Sequence, residues 1–69
     1  MEPIRPLTVV ALLEDIPELR LVRGQVGTVV ESLKKEVVEV EFSDDTGRTY
    51  ALLALRPEQL MVLHHSEAA

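Results

Sequence analysis

The clearest pattern of hydrophobic and polar positions is the strict alternation of Val38, Glu39, Val40, Glu41 and Phe42. Alternate residues of a β-strand face opposite sides of the sheet, so a period of two predicts a half-buried strand. The three apolar side chains are therefore expected to point inward and the two glutamates outward.

Other apolar runs predict further strands, and turn residues separate them. Residues 7–13 form a run that is apolar at almost every position, which indicates a strand that is central or covered on its outside by a partner. In the fourth strand, Tyr50 and Leu52 are expected on one face and Thr49, Ala51 and Leu53 on the other. The strands expected beside the alternating segment 38–42 are 7–13, 26–32, 48–55 and 61–63.

The connections carry equally clear signals. Residues 14–24 predict a long loop that folds back over the core, because Ile16, Leu19 and Leu21 are too apolar for a solvated loop. Residues 56–60 are too short for a full helix, and Pro57 at a first helical position predicts a single 3₁₀ turn. Residues 33–36 and 43–47 predict hairpin connections, residues 1–6 an extended lead-in and residues 64–69 a frayed tail.

The glycines predict special backbone positions. Gly24 is expected in a turn, Gly27 at a bulge or a close backbone contact, and Gly47 at the left-handed position of a hairpin loop. Together with the strands they predict one all-β domain over residues 1–69, built as a small, partly open barrel.

Several segments resemble a known family. They are Asp15-Ile16-Pro17, Gly24-Gln25-Val26-Gly27-Thr28-Val29-Val30-Glu31 and Arg56-Pro57-Glu58-Gln59-Leu60. The resemblance covers nearly the whole chain, and the segments follow one another in the same order. In this order the chain resembles a family of small bacterial proteins known as domain of unknown function number 4926. The resemblance implies a five-stranded SH3-like barrel with a 3₁₀ turn before the last strand, and it supplies no activity or catalytic residue. Family members look like components of small paired-gene systems, which would suit an antitoxin or accessory role.

Composition narrows the possible functions. The chain has 69 residues, no cysteine and a net charge of −5, with one tyrosine, one phenylalanine and no tryptophan. The missing cysteines exclude disulfides and thiolate zinc sites. The acidic balance and the scarcity of aromatic side chains disfavour nucleic-acid binding. No apolar run approaches the roughly 18 residues of a membrane span, and the residues near Met1 do not resemble a signal peptide, so a cytoplasmic protein is predicted.

The sequence predicts no catalytic, cofactor or metal site. Carboxylates are adjacent at residues 14–15 and 44–45, but the second pair lacks the further ligands of a calcium loop and suits a solvated turn. His64 and His65 point in opposite directions on an extended chain and make a poor chelate. No serine is accompanied by an internal histidine or a cysteine, so the chain is expected not to be an enzyme.

An interaction role remains, because one barrel interior cannot hold both faces of two apolar strands. The residues predicted to form an outer apolar interface are Val10, Leu12, Leu53 and Leu55. The leading interpretation is a protein-interaction module, regulatory or antitoxin-like, that binds a second copy or another protein. A structural subunit of a larger enzyme is the alternative. A nucleic-acid-binding module through Arg20, Arg23, Lys34 and Lys35 ranks lower, and whether Arg20 and Arg23 form a functional patch is left open.

Overall fold

The computed structural model describes residues 4–34 and 36–64. These residues form one antiparallel sheet of five strands in the order β4-β3-β2-β1-β5. The strands are β1 (Val9–Leu12), β2 (Val26–Lys34), β3 (Val37–Ser43), β4 (Thr49–Leu55) and β5 (Leu60–Val62). Two 3₁₀ turns complete the described chain, at Pro17–Leu19 and at Pro57–Gln59.

The predicted class is confirmed: the domain is all-β, with five strands and a 3₁₀ turn immediately before the last. The strand order leaves β4 and β5 at the two edges of the sheet, with no ladder between them in the described part of the chain. Closure of the sheet into an SH3-like barrel stays a prediction.

The strand bounds differ from the predicted ones mainly in β2. The sequence predicted that this strand ends near residue 32, and it continues to Lys34. The pairing of β2 with β3 shifts register between Val29 and Glu31 and again between Ser32 and Lys34. These bulges each absorb an extra residue, so a strand can continue through positions whose polar pattern suggests a connection.

The core lies on one side of the sheet. The predicted orientation of β3 is confirmed, because Val38, Val40 and Phe42 are buried while Glu39 and Glu41 are only half-buried on the opposite side. The buried apolar side chains are Val10, Leu12, Leu21, Val29, Val38, Val40, Phe42, Leu55 and Leu60.

The long β1–β2 connection folds back on the core in part, as predicted. Leu21 is fully buried and Ile16 packs against the core, and the Ile16 N–H donates to the Leu21 carbonyl at 2.8 Å. The prediction was wrong for Leu19, which is 49% exposed. Leu19 ends the 3₁₀ turn at the tip of the connection, beyond the bridge between Ile16 and Leu21, so it points away from the core.

The second 3₁₀ turn is tied to the first strand. The Leu13 N–H donates to the Gln59 carbonyl at 2.9 Å, and the Arg56 N–H donates to Gln59 Oε1 at 2.8 Å. This turn therefore delivers the chain to β5, which pairs with β1 through Leu12 and Leu60. Within the described residues, no helix is long and apolar enough to span a membrane.

Candidate protein-interaction face

The predicted glycine positions have distinct geometries. Gly24 and Gly47 have φ values of +93° and +86°, a conformation that strains residues with a side chain. Gly27 is buried in β2, where an added Cβ would lie 2.8 Å from Val40 Cγ1 and 2.9 Å from Phe42 Cδ1. The backbone of β2 thus approaches the core side chains of β3 too closely for any residue but glycine.

The predicted apolar interface is wrong at three of its positions, since Val10, Leu12 and Leu55 are buried in the core. Leu53 is half-buried and packs against the same core. These residues point inward because their neighbours in the register, such as Val40 opposite Leu53, face the core. A side chain already packed in the core is not available to a partner, so an interaction surface has to be sought on the other side of the sheet.

We define the outer face as the side of the sheet opposite the core, and the register identifies its members. Cross-strand partners share a face, so the row Val9, Thr28, Glu41, Leu52 runs across four strands. A neighbouring row joins Met61, Ala11 and Val26, and a third joins Glu31, Glu39 and Ala54. The outer face therefore comprises Val9, Ala11, Val26, Thr28, Glu31, Glu39, Glu41, Leu52, Ala54 and Met61.

Large apolar side chains of the outer face are exposed. Val26 is 50% exposed, Leu52 is 54% exposed and Met61 is 52% exposed. Ala11 lies between Val26 and Met61, Val9 lies in the neighbouring row, and both are half-buried. Isolated exposed apolar residues are ordinary, whereas a contiguous group on one face is typical of an interaction site.

Three carboxylates share the outer face with these apolar side chains. Glu31 is directly opposite Glu39, and Glu41 follows two residues later on the same face of β3. Like charges directly opposite each other destabilise a sheet. Among the described residues the ion pair is Arg56–Glu58, with 3.0 Å between Nε and Oε2, so these three glutamates form no ion pair with a described cation. Glu41 Oε2 accepts a hydrogen bond from Thr49 Oγ1 at 2.9 Å, which is a neutral donor.

The carboxylates of residues 44–45 belong to a structural turn. Asp44 Oδ1 accepts hydrogen bonds from Thr46 Oγ1 at 2.7 Å, from the Thr46 N–H at 2.9 Å and from the Arg48 N–H at 3.0 Å. The hydroxyl of Thr46 and then these backbone amides hold the pKa of Asp44 below its ordinary value, because they stabilise the charged carboxylate. The turn predicted for residues 44–45 is therefore held by these three hydrogen bonds.

Of the predicted cationic positions, Lys34 is exposed at the end of β2 and Lys35 lies outside the described residues. Arg20 and Arg23 are exposed in the β1–β2 connection, and Asp15 Oδ1 accepts the backbone N–H of Arg23 at 2.8 Å. His64 is exposed, and its neighbour in sequence lies outside the described residues. No group of histidine, aspartate and glutamate side chains suited to a metal ion occurs within residues 4–34 and 36–64.

Fold and surface together define a small all-β domain made of one antiparallel sheet, with a core on one side and an apolar, acidic face on the other. The chain belongs to the family described as Domain of unknown function (DUF4926), whose model matches residues 7–62. The matched range includes every strand. No curated protein and no solved structure matches the chain significantly.

Proposed function

We propose that this chain is a non-enzymatic protein-interaction module whose outer face binds a protein with exposed apolar side chains flanked by lysine or arginine. The observation that supports the proposal is that Glu31, Glu39 and Glu41 share one face with Val26 and Leu52 and form no ion pair with a described cation.

The physical argument has an apolar and an electrostatic part. Burying a large apolar side chain contributes about 1.5–3 kcal/mol, so the exposed side chains of Val26, Leu52 and Met61 are a source of binding energy. A cationic partner would also relieve the repulsion between Glu31 and Glu39. Complementary charge mainly raises association rate and specificity, which suits a module that selects one partner.

The identity of the partner distinguishes two roles. A small basic protein bound in equal amount would support a regulatory or antitoxin-like role. A single large enzyme would instead support a structural or accessory subunit. Both roles require the same outer face, so they are tested by the same binding experiment.

The test is capture of partners from the chain's own host cells, with the tagged chain expressed at its native level and the eluate analysed by mass spectrometry. Three baits are compared: the wild type, Glu39→Lys and Asp45→Lys. Both substitutions change the net charge equally, but Asp45 is exposed in the β3–β4 turn and lies off the outer face. Glu39→Lys places a cation opposite Glu31 and should preserve the fold, because opposite charges across strands are stabilising.

We expect the wild type and Asp45→Lys to retain one basic protein in stoichiometric amount, and Glu39→Lys to lose it. Circular dichroism of all three baits controls for folding. Retention of the same protein by all three folded baits would contradict the proposal, and so would the absence of any stoichiometric partner.

A further inference from the structure

The edge strand β4 is long and uncharged, and its pairing with β3 shifts register only at its first end, where Tyr50 is the extra residue. The strand Thr49–Leu55 has the sequence TYALLAL, without a charged residue or a proline, and it is the last strand on its side of the sheet. The opposite edge is β5, which has only three residues. Exposed edge strands are normally protected by short length, charges or proline, since their free backbone groups pair readily with another chain.

The hydrogen bonds show which backbone groups of β4 are free. The Val29 N–H donates to the Thr8 carbonyl at 2.8 Å, and the Val29 carbonyl accepts from the Leu7 N–H, so Val29 faces the β1 side. Backbone direction alternates along a strand, so Thr28 faces β3 and pairs there with Glu41.

The same alternation continues across β3. Because Glu41 faces β2, its neighbours Val40 and Phe42 face β4, where they lie opposite Leu53 and Ala51. The N–H and carbonyl groups of Leu52 and Ala54 therefore point away from β3, toward the free edge.

We propose that β4 pairs antiparallel with β4 of a second copy of this chain, around a two-fold axis at Leu52. The Leu52 N–H of each chain donates to the Leu52 carbonyl of the other. Ala51 lies opposite Leu53 of the second copy on the core side, so a small side chain meets a large one. Both Ala51 and Leu53 are only half-buried in one chain, and pairing extends their cover.

The strand β4 itself presents no charge that would oppose a second copy. Each chain carries a net charge of −5, and β4 itself is uncharged, so two copies can approach along this edge without opposing carboxylates. A basic partner gains no charge complementarity from the strand. Arg48 and Arg56 lie just beyond its ends, and Arg56 is already ion-paired with Glu58.

The symmetry of the assembly also favours a second copy. A two-fold pair uses the long edge of each chain once and leaves only the short β5 edges outside, so the assembly stops at a dimer. This pairing uses backbone groups and leaves the side chains of Val26 and Met61 uncovered. The two interactions share the side chain of Leu52, but the proposed pairing rests on the backbone groups of β4, so sedimentation of the purified chain tests it apart from the binding of a basic protein.

The test compares Leu52→Pro with Leu52→Thr by sedimentation over a dilution series of the purified chain. Proline removes only the N–H that points to the free edge, a position that edge strands tolerate, whereas threonine keeps this N–H. We expect the wild type and Leu52→Thr to dimerise. The dimer of Leu52→Pro should be weaker by a factor of about ten or more, because two symmetric hydrogen bonds are lost. Equal dimerisation of the two folded variants would overturn the proposed axis.

Hydrogen exchange of the wild type decides the question even if Leu52→Pro does not fold. The amides of Leu52 and Ala54 should exchange more slowly at high protein concentration than at low concentration. A wild type that is monomeric throughout, with exchange of these amides independent of concentration, would overturn edge pairing. The proposed function would not be affected by that result, because the capture experiment with Glu39→Lys tests it separately.

Discussion

Replacing Gly27 with alanine inserts a methyl group where β2 passes closest to the core side chains of β3. The new Cβ would lie 2.8 Å from Val40 Cγ1, 2.9 Å from Phe42 Cδ1 and 2.9 Å from the Glu41 carbonyl oxygen. Val40 and Phe42 are both 0% exposed, so neither can turn aside into solvent. The third contact is backbone, and relieving it requires β2 and β3 to separate.

The expected loss of stability follows from this crowding. Overpacking a well-packed core costs about 1–3 kcal/mol, and we place Gly27→Ala at about 2–3 kcal/mol because all three contacts are shorter than normal packing allows. At about 0.05–0.15 kcal/mol per residue, a domain of this size has a free energy of unfolding of about 3–10 kcal/mol. One methyl group should thus remove a large share of the stability.

Urea unfolding followed by circular dichroism measures this loss. With an m value of about 1 kcal/mol/M, the midpoint should fall by about 2–3 M while m stays unchanged. Gly47→Ala is the matched control: nothing lies within 4 Å of its added Cβ, but its φ is +86°, so it should cost only about 1–2 kcal/mol. Asparagine should restore part of the stability at position 47, where it tolerates positive φ, and none at position 27. A cost below about 0.5 kcal/mol for Gly27→Ala would refute the close approach of the two strands.

Two further predictions test which residues are buried and how the stability of the domain depends on pH. Val10→Glu should unfold the domain because it buries an unpaired carboxylate, whereas Leu52→Glu should leave the circular dichroism spectrum unchanged; the same outcome for both would contradict the assigned faces. The lowered pKa of Asp44 stabilises the fold above the pKa of this carboxyl in the unfolded chain, and the contribution is lost as the pH falls through the lower pKa of the folded state. Urea titrations from about pH 5 to about pH 2 should therefore show the wild type losing stability more steeply than Asp44→Asn, and parallel curves would argue against the turn geometry.

The sequence alone predicted the strands and turns whose hydrophobic pattern and turn residues indicate the same structure. The alternation of Val38, Glu39, Val40, Glu41 and Phe42 predicted both a strand and its two faces, because only one face of β3 is apolar. The 3₁₀ turn before β5 was predictable because Pro57 fixes φ and the segment is too short for a helix. The family resemblance is confirmed over residues 7–62.

The orientation of β1 and β4 could not be read in the same way. Both strands are apolar on both faces, so periodicity does not show which residues point inward. Val10, Leu12 and Leu55 were predicted outside and lie in the core, because their cross-strand neighbours set their side of the sheet. Only the pairing of the strands resolves this ambiguity.

Only some of the carboxylates of the outer face could be placed from the sequence. The outward direction of Glu39 and Glu41 followed from the alternation in β3. The position of Glu31 opposite Glu39 depends on the bulge between Val29 and Glu31, which carries no glycine or other clear signal in the sequence. Without that bulge, the register would place a different residue of β2 opposite Glu39.

Photo-crosslinking in the chain's own host cells tests the proposed interaction face most directly. The photoreactive residue p-benzoylphenylalanine is placed at Val26, which is 50% exposed on the outer face, and as a control at Asp45 in the β3–β4 turn. We predict one dominant crosslinked protein from position 26, rich in lysine or arginine, and none from position 45. Equal crosslinking from both positions, or none from position 26 in the folded chain, would contradict binding through the outer face.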